Sequence, residues 1–311
     1  MGIQPLCSVK LRLFGACLIV SAVASTASAQ SALDPASAAG TVSTTEPLPA
    51  VEHDDAVLNK AEPDVVVVDL PTTMRLPLFK SNFRLTHRFA GNLRRGSFGD
   101  QASSLFGIDQ GAIIGFEYRV AVAPHAQAAF YRSSFDRTIQ LHGKYDAVRQ
   151  HGSLPVSLSG LASIEGTNNF KEKYAPSFGA VVSRTFGSRV AAYLTPIWTG
   201  NANASLDAIT HDHGDDDHSV AAERHQSTTS IGVGARGRLH GTTYVAAEIV
   251  PRASGYAPGD PAYGVSIEKR VGSHMFSLTF TNTFGTTFAQ VARGGAGGTL
   301  YLGFNLGRKF L

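Results

Sequence analysis

Residues 211–218 read His-Asp-His-Gly-Asp-Asp-Asp-His, three imidazoles and four carboxylates in eight positions. His211, His213 and His218 are borderline nitrogen donors of the kind zinc or copper takes, and Asp215 and Asp217 can complete an oxygen-rich shell. The stretch is acidic and broken by Gly214, so no regular element fixes the ligands in place. A solvated loop is the first reading, with capture of zinc or copper as the alternative. No resident cofactor is otherwise expected, because neither a phosphate-cradling glycine loop nor an H-E-x-x-H string occurs.

His151-Gly152-Ser153 sets an imidazole two residues from a hydroxyl. A working nucleophile needs a base and a group that orients the base. No third member is evident, and the string falls in a turn, so an enzyme is not expected.

The third constellation is spread along the chain. Glu117, Arg119, Lys144, Asp146, Arg236, Arg238, Glu248, Arg252, Glu268 and Arg270 recur at every second position of otherwise apolar runs. Charges of both signs on one enclosed face must pair, since an isolated buried charge is very costly. They would form either a structural network that fills an interior or the lining of a narrow polar channel.

The runs that position them have period 2. Between Ala112 and Val122, Ile114, Phe116, Tyr118 and Val120 share one face, with Gly115, Glu117 and Arg119 on the other. Between Thr229 and Leu239 the faces are Ile231, Val233 and Ala235 against Gly232, Gly234, Arg236 and Arg238. Alternation of this kind marks a strand with two unlike surroundings. It fits a soluble sandwich with its apolar face inward, or a membrane barrel with that face toward lipid.

The connections decide between them. About twelve runs, each of roughly the length of a tilted membrane-spanning strand, lie between residues 82 and 310. Ala123-Pro124, Gly187-Ser188, His240-Gly241 and Gly272-Ser273 are tight turns, with a longer one at 150–153. Between these come long links near 91–110, 165–173, 200–227, 253–261 and 284–298. Tight turns thus fall on one side of the sheet and long loops on the other, which is the habit of outer-membrane barrels. The expected fold is all-β, an antiparallel transmembrane β-barrel of about twelve strands with short periplasmic turns and long external loops.

The ends agree with export. Residues 1–29 carry Lys10 and Arg12, an apolar stretch from Leu13 to Ala24, and Ala27-Ser28-Ala29, and are expected to be a signal peptide. Both cysteines, Cys7 and Cys17, lie inside it. Residues 30–75, rich in Ala, Ser, Thr, Pro and acidic side chains, are expected to be a disordered periplasmic leader. Within them Asp64-Val-Val-Val-Val-Asp69, ended by Pro71, reads as an edge strand or a plug. The barrel is expected over 76–311. A formal charge of +3, two of it from the signal, offers no basic patch for nucleic acid.

Several strings carry a family resemblance: Thr86-His87-Arg88-Phe89, Leu105-Phe106-Gly107-Ile108-Asp109-Gln110-Gly111-Ala112, Arg132-Ser-Ser-Phe-Asp-Arg-Thr138, and Phe276-Ser-Leu-Thr-Phe-Thr-Asn-Thr283. Over roughly residues 70–311 the chain resembles a family of bacterial outer-membrane β-barrel proteins. The resemblance implies a fold and a location, the bacterial outer membrane, and no activity. The closing run ends in Phe310, like the strand that barrel-insertion machinery takes up, although Leu311 follows it. The expected partners are outer-membrane lipid, that machinery, and small polar solutes or ions. The expected function is a narrow pore or uptake channel, with a closed structural or surface-interaction protein as the alternative.

On the solvated-loop reading, replacing His211, His213 and His218 by alanine leaves zinc and copper affinity unchanged in calorimetry. A loss of affinity in that variant would instead establish a metal site.

Overall fold

The computed structural model of the protein describes residues 60–203 and 226–311. The expected signal (1–29), the leader up to residue 59 and the histidine-aspartate cluster, including His211, His213, Asp215, Asp217 and His218, lie outside the described residues.

The wall consists of β1 (Ser81–Asn92), β2 (Ala112–Ala123), β3 (Ala126–Ser133), β4 (Ile139–Val148), β5 (Ser157–Gly166), β6 (Glu172–Phe186), β7 (Val190–Thr199), β8 (Thr228–His240), β9 (Thr243–Val250), β10 (Arg252–Gly255), β11 (Ala262–Val271), β12 (His274–Thr281) and β13 (Tyr301–Phe310). Neighbours pair antiparallel around the ring. β9 and β10 are two pieces of one wall strand, both paired with β8 and parted at Pro251, which has no N–H for the ladder. β13 returns to β1, with Ser81 opposite Phe310 and Leu85 opposite Leu306. The result is a closed barrel of twelve wall strands, and closure removes the edges that lipid could not satisfy.

Turn chemistry sets the sidedness. The two-residue links after β8 and β11 begin with Gly241 and Gly272 at φ of 53° and 55°, a left-handed conformation that strongly favours glycine. The alternation read from sequence is realised in the wall. Phe116, Tyr118, Phe130, Leu141, Ile231 and Val233 are exposed on the outer surface, while Glu117, Arg119, Lys144 and Arg236 between them are buried. Lipid is the solvent for the first set.

The leader is where the chain departs from expectation. Disorder was expected through residue 75, but residues 61–74 are buried inside the barrel. They form a hairpin closed by the Val66–Pro71 bridge, with the Val67 N–H donating to the Leu70 carbonyl at 2.8 Å and the Thr72 N–H to that of Val65 at 3.0 Å. Both arms end toward the short-turn side, where Asp64 meets Lys309 and Arg75 meets Asp146. The tip reaches the outer half, where Leu70 packs with Val250, Ala262 and Val291. Composition suggested disorder because this segment has no apolar partner within itself; the wall supplies one. Each of the three hydrophobic clusters among the described residues includes plug side chains: Val67; Val65, Val66, Met74 and Leu76; and Leu70.

Wall glycines make the room. A Cβ on Gly232 would stand 2.7 Å from Leu70, one on Gly264 3.0 Å from Val68, and one on Gly234 3.3 Å from Val67. Gly232→Phe should therefore push the plug tip out while sparing the strand pairing. Protease cleavage near residues 68–70 should rise by about an order of magnitude, with the heat-modifiable mobility of the folded barrel retained. Cleavage no faster than in the parent would show that the tip does not depend on this socket.

Candidate functional site

The interior wall is lined by the polar faces of the strands. Among the described residues its buried charges are seven cations (Arg84, Arg88, Arg119, Lys144, Arg236, Arg270, Lys309) and five carboxylates (Glu117, Asp146, Glu165, Glu248, Glu268). Many pair within the wall. Glu117 accepts from Arg84 at 3.1 Å and from Arg119 at 3.0 Å. Arg236 Nε donates to Glu268 at 2.7 Å, and Lys144 lies 3.3 Å from Asp146, which also accepts from Ser159 at 2.7 Å.

The plug completes the set. Asp69 takes Arg88 at 2.8 Å, and Asp64 takes Lys309 at 3.0 Å. The Val66 and Val67 carbonyls accept from Arg236 Nη2 at 2.6 and 3.0 Å, and the Thr72 carbonyl accepts from Lys144 at 3.1 Å. In the opposite sense Glu248 accepts the consecutive backbone N–H groups of Val68, Asp69 and Leu70 at 2.9, 2.9 and 3.0 Å. Three N–H donors converging on one carboxylate make a compact anion nest at the hairpin tip. Near the other end Glu62 accepts from the Thr73 N–H at 2.9 Å, and Thr73 Oγ1 lies 2.5 Å from Ser183 Oγ. Burial pushes the Glu62 carboxyl up, against the opposing pull of Lys144 and the Thr73 bonds. Burial also acts on Asp64, but Lys309 and Arg236 outweigh it and hold that carboxyl below its usual range.

The outer mouth is filled from the other direction. The loop between β12 and β13 folds inward and carries a short helix at Phe288–Ala292, opened by a capping box between Thr287 and Gln290. Ala289, Gln290, Val291 and Ala292 are all buried. Glu165 accepts the Ala289 N–H at 3.2 Å, and Arg293 donates to the Ala202 carbonyl at 2.8 Å. The first external loop carries a short 3-10 helix at Leu105–Gln110 that lies beside β1, where Gly107 abuts Gly91.

Of the residues expected to line the lumen, Glu117, Arg119, Lys144, Asp146, Arg236, Glu248, Glu268 and Arg270 are buried on the interior face. Arg238 and Arg252 keep the inward register but are half-exposed at the two rims. The β8–β9 register shifts between Arg238 and His240, and Arg238 is half-exposed at the turn, donating to Ser188 Oγ at 2.9 Å. Arg252 follows the break at Pro251 and sits in the mouth, where carbonyls of Gly259, Asp260 and Arg293 accept from it. Arg84, Arg88, Glu165 and Lys309 join the interior without having been singled out. The period-2 polar face of β1, Asn82-x-Arg84-x-Thr86-x-Arg88, carried the signal for two of them. His151-Gly152-Ser153 lies in an exposed turn, with His151 bridged only to Leu154. Among the described residues no three metal-ligating side chains come together.

A family model described as a membrane bound beta barrel domain (DUF5777) matches residues 64–310, which takes in most of the plug as well as the wall. The chain belongs to this family. It is a β-barrel of the bacterial outer membrane, in contact with outer-membrane lipid. Solved structures similar to it are outer-membrane barrels. The NanC porin is 6% identical over 74% of this chain and 99% of its own, with a TM-score of 0.44. Omp33 of Acinetobacter baumannii is 8% identical over 75% and 98%, with a TM-score of 0.38. LpxR from Salmonella typhimurium is 11% identical over 74% and 99%, with a TM-score of 0.32. No curated protein matches the chain.

Glu248 offers a direct measure of the plug's hold. Glu248→Gln removes the charge and leaves one carbonyl oxygen for three N–H donors, a loss of roughly 1.5–3 kcal/mol for a charged hydrogen bond. Amide exchange at Val68, Asp69 and Leu70 should speed up about ten- to hundredfold, with β3–β5 unchanged. Equal acceleration throughout the wall would mean that the variant had weakened the barrel and not the plug.

Proposed function

We propose that the protein is a gated conduit for small polar solutes or ions, with the hairpin at residues 61–74 as its gate. The observation that carries this reading is the chemistry of the surface beneath the plug. The wall there is made of Arg, Lys, Glu, Ser and Thr side chains, which water can solvate once the hairpin leaves. An interior designed only for permanent closure has no need of such a face, since apolar packing would serve at least as well. Both plug arms end at the short-turn rim, so the hairpin can withdraw toward the periplasm without threading the wall.

No catalytic role is assigned. The imidazole–hydroxyl string is exposed in a periplasmic turn, away from the outer leaflet and from the interior. Phe310 at the end of the closing strand points outward, as suits recognition by barrel-insertion machinery. The runner-up reading, a permanently closed envelope protein, draws support from the apolar clusters that the plug completes.

A reversible lock separates the two. Apart from Cys7 and Cys17 the chain has no cysteine, and the Thr73 and Ser183 hydroxyl oxygens are 2.5 Å apart, close enough for cysteines at these sites to bridge. In planar bilayers the parent should show voltage-dependent opening events. Oxidised Thr73→Cys/Ser183→Cys should be silent, and reductant should restore the events. A parent that never conducts at any voltage would establish the closed barrel instead.

A further inference from the structure

The charges of the plug and of the wall are unequal in a way that names a solute class. Seven buried wall cations face five wall carboxylates. The hairpin adds three buried carboxylates, Glu62, Asp64 and Asp69, and one partly exposed cation, Arg75. Among the buried side chains of the described residues the wall is thus positive by two charges, and the plug, with its partly exposed Arg75, is negative by the same amount. Two wall cations, Arg88 and Lys309, draw their carboxylate partners from the plug and not from the wall. Both side chains are almost wholly buried, so they face the interior space and not the lipid. Donors also remain unused: Arg84 Nε and Nη1, Arg88 Nε and Arg236 Nη1 are buried without a hydrogen-bond partner in the protein.

We infer that the open lumen selects anions, and that Asp64 and Asp69 occupy, in the closed state, the guanidinium and ammonium sites that a permeating anion uses. The inference rests on the conduit reading and adds the substrate class: small inorganic anions and organic carboxylates. When the hairpin withdraws it takes its carboxylates with it, and the two net positive charges stay in a narrow passage with low-dielectric walls. Such a passage concentrates counter-ions of one sign and repels the other. The carboxylates of the plug show the geometry that the sites accept. Arg88 holds Asp69 against Asn305, whose Oδ1 accepts from the same guanidinium at 2.8 Å, so a carboxylate that replaces Asp69 meets a preset guanidinium.

The test uses the full chain in planar bilayers under a potassium chloride gradient, with the plug loosened in two independent ways, Gly232→Phe and Asp64→Asn/Asp69→Asn. Both should conduct, and the reversal potential should give a chloride-over-potassium permeability ratio of about threefold or more. Adding Arg88→Gln/Lys309→Gln to Gly232→Phe should bring the ratio to about one, with conductance retained. Acetate added to one side should carry current in the loosened forms. A conducting lumen that prefers potassium, or a ratio unmoved by the Arg88 and Lys309 replacements, overturns the anion assignment and leaves the conduit standing. Silence of both loosened forms, with folded barrels verified by heat-modifiable mobility, overturns the conduit and the assignment together.

Discussion

A barrel that gives its apolar face to lipid has only the other face of the same strands with which to build an interior. The constraint is geometric, because side chains alternate strictly along a strand. In β2 and β8 the outward Phe116, Tyr118, Ile231 and Val233 are followed by the inward Glu117, Arg119, Gly232 and Gly234. The interior is therefore built from the alternate positions, which this sequence fills largely with polar and charged side chains, and it is too narrow to leave each charge its own water. The remaining architecture follows from how those charges are satisfied.

Wall pairs such as Arg236–Glu268 and the Arg84–Glu117–Arg119 triad meet part of the demand within the sheet. They cannot meet all of it, because among the described residues the buried wall cations outnumber the buried wall carboxylates. A separate hairpin supplies the missing carboxylates, and it also brings the apolar side chains that the wall does not present inward in bulk. Val65 to Val68, Leu70, Met74 and Leu76 find Tyr193, Ile197, Val250 and small wall residues waiting for them. Glycines at 232, 234 and 264 are the complementary feature: at these wall positions any side chain would crowd the plug. The helix at Phe288–Ala292 caps the same core from outside, touching the plug through Val291 and Leu70.

The wall was legible in the sequence because each strand announces itself locally. Period 2 and the turn residues at 187, 241 and 272 are properties of neighbouring positions, so no distant contact is needed to read them. The plug was legible only as a β-prone run between Asp64 and Asp69, because its other determinants lie far off in the chain. Glu248 is about 180 residues from the N–H groups it accepts, and Lys309 lies 245 from Asp64. Residues 61–64 and 70–75, judged by themselves, have the composition of a disordered tail. Two expected lumen charges, Arg238 and Arg252, keep the inward register opposite Tyr244 and Ser230 but stand half-exposed at the two rims. Arg238 stands at a register shift next to a turn, and Arg252 stands just past a proline that splits its strand. The inward fold of Phe288–Ala292 left only a weak trace, a short apolar string inside a glycine-rich loop.

The plug's hold is large in its parts and modest in its sum. Each buried Val, Leu or Met contributes roughly 1.5–3 kcal/mol, and ordering each hairpin residue costs about 1–2 kcal/mol, so gain and cost are of the same order. The ion pairs tip this balance less than their number suggests, since charges at the plug surface exchange one set of polar partners for water and for each other when the hairpin leaves. The wall does not share that balance. Its backbone is hydrogen-bonded around a closed ring, and its strands cannot part without exposing N–H and C=O groups to lipid. One element of the interior is therefore held near the margin inside another that cannot yield. On the conduit reading, that difference in stability lets a hairpin of this size move while the barrel around it stays shut to lipid.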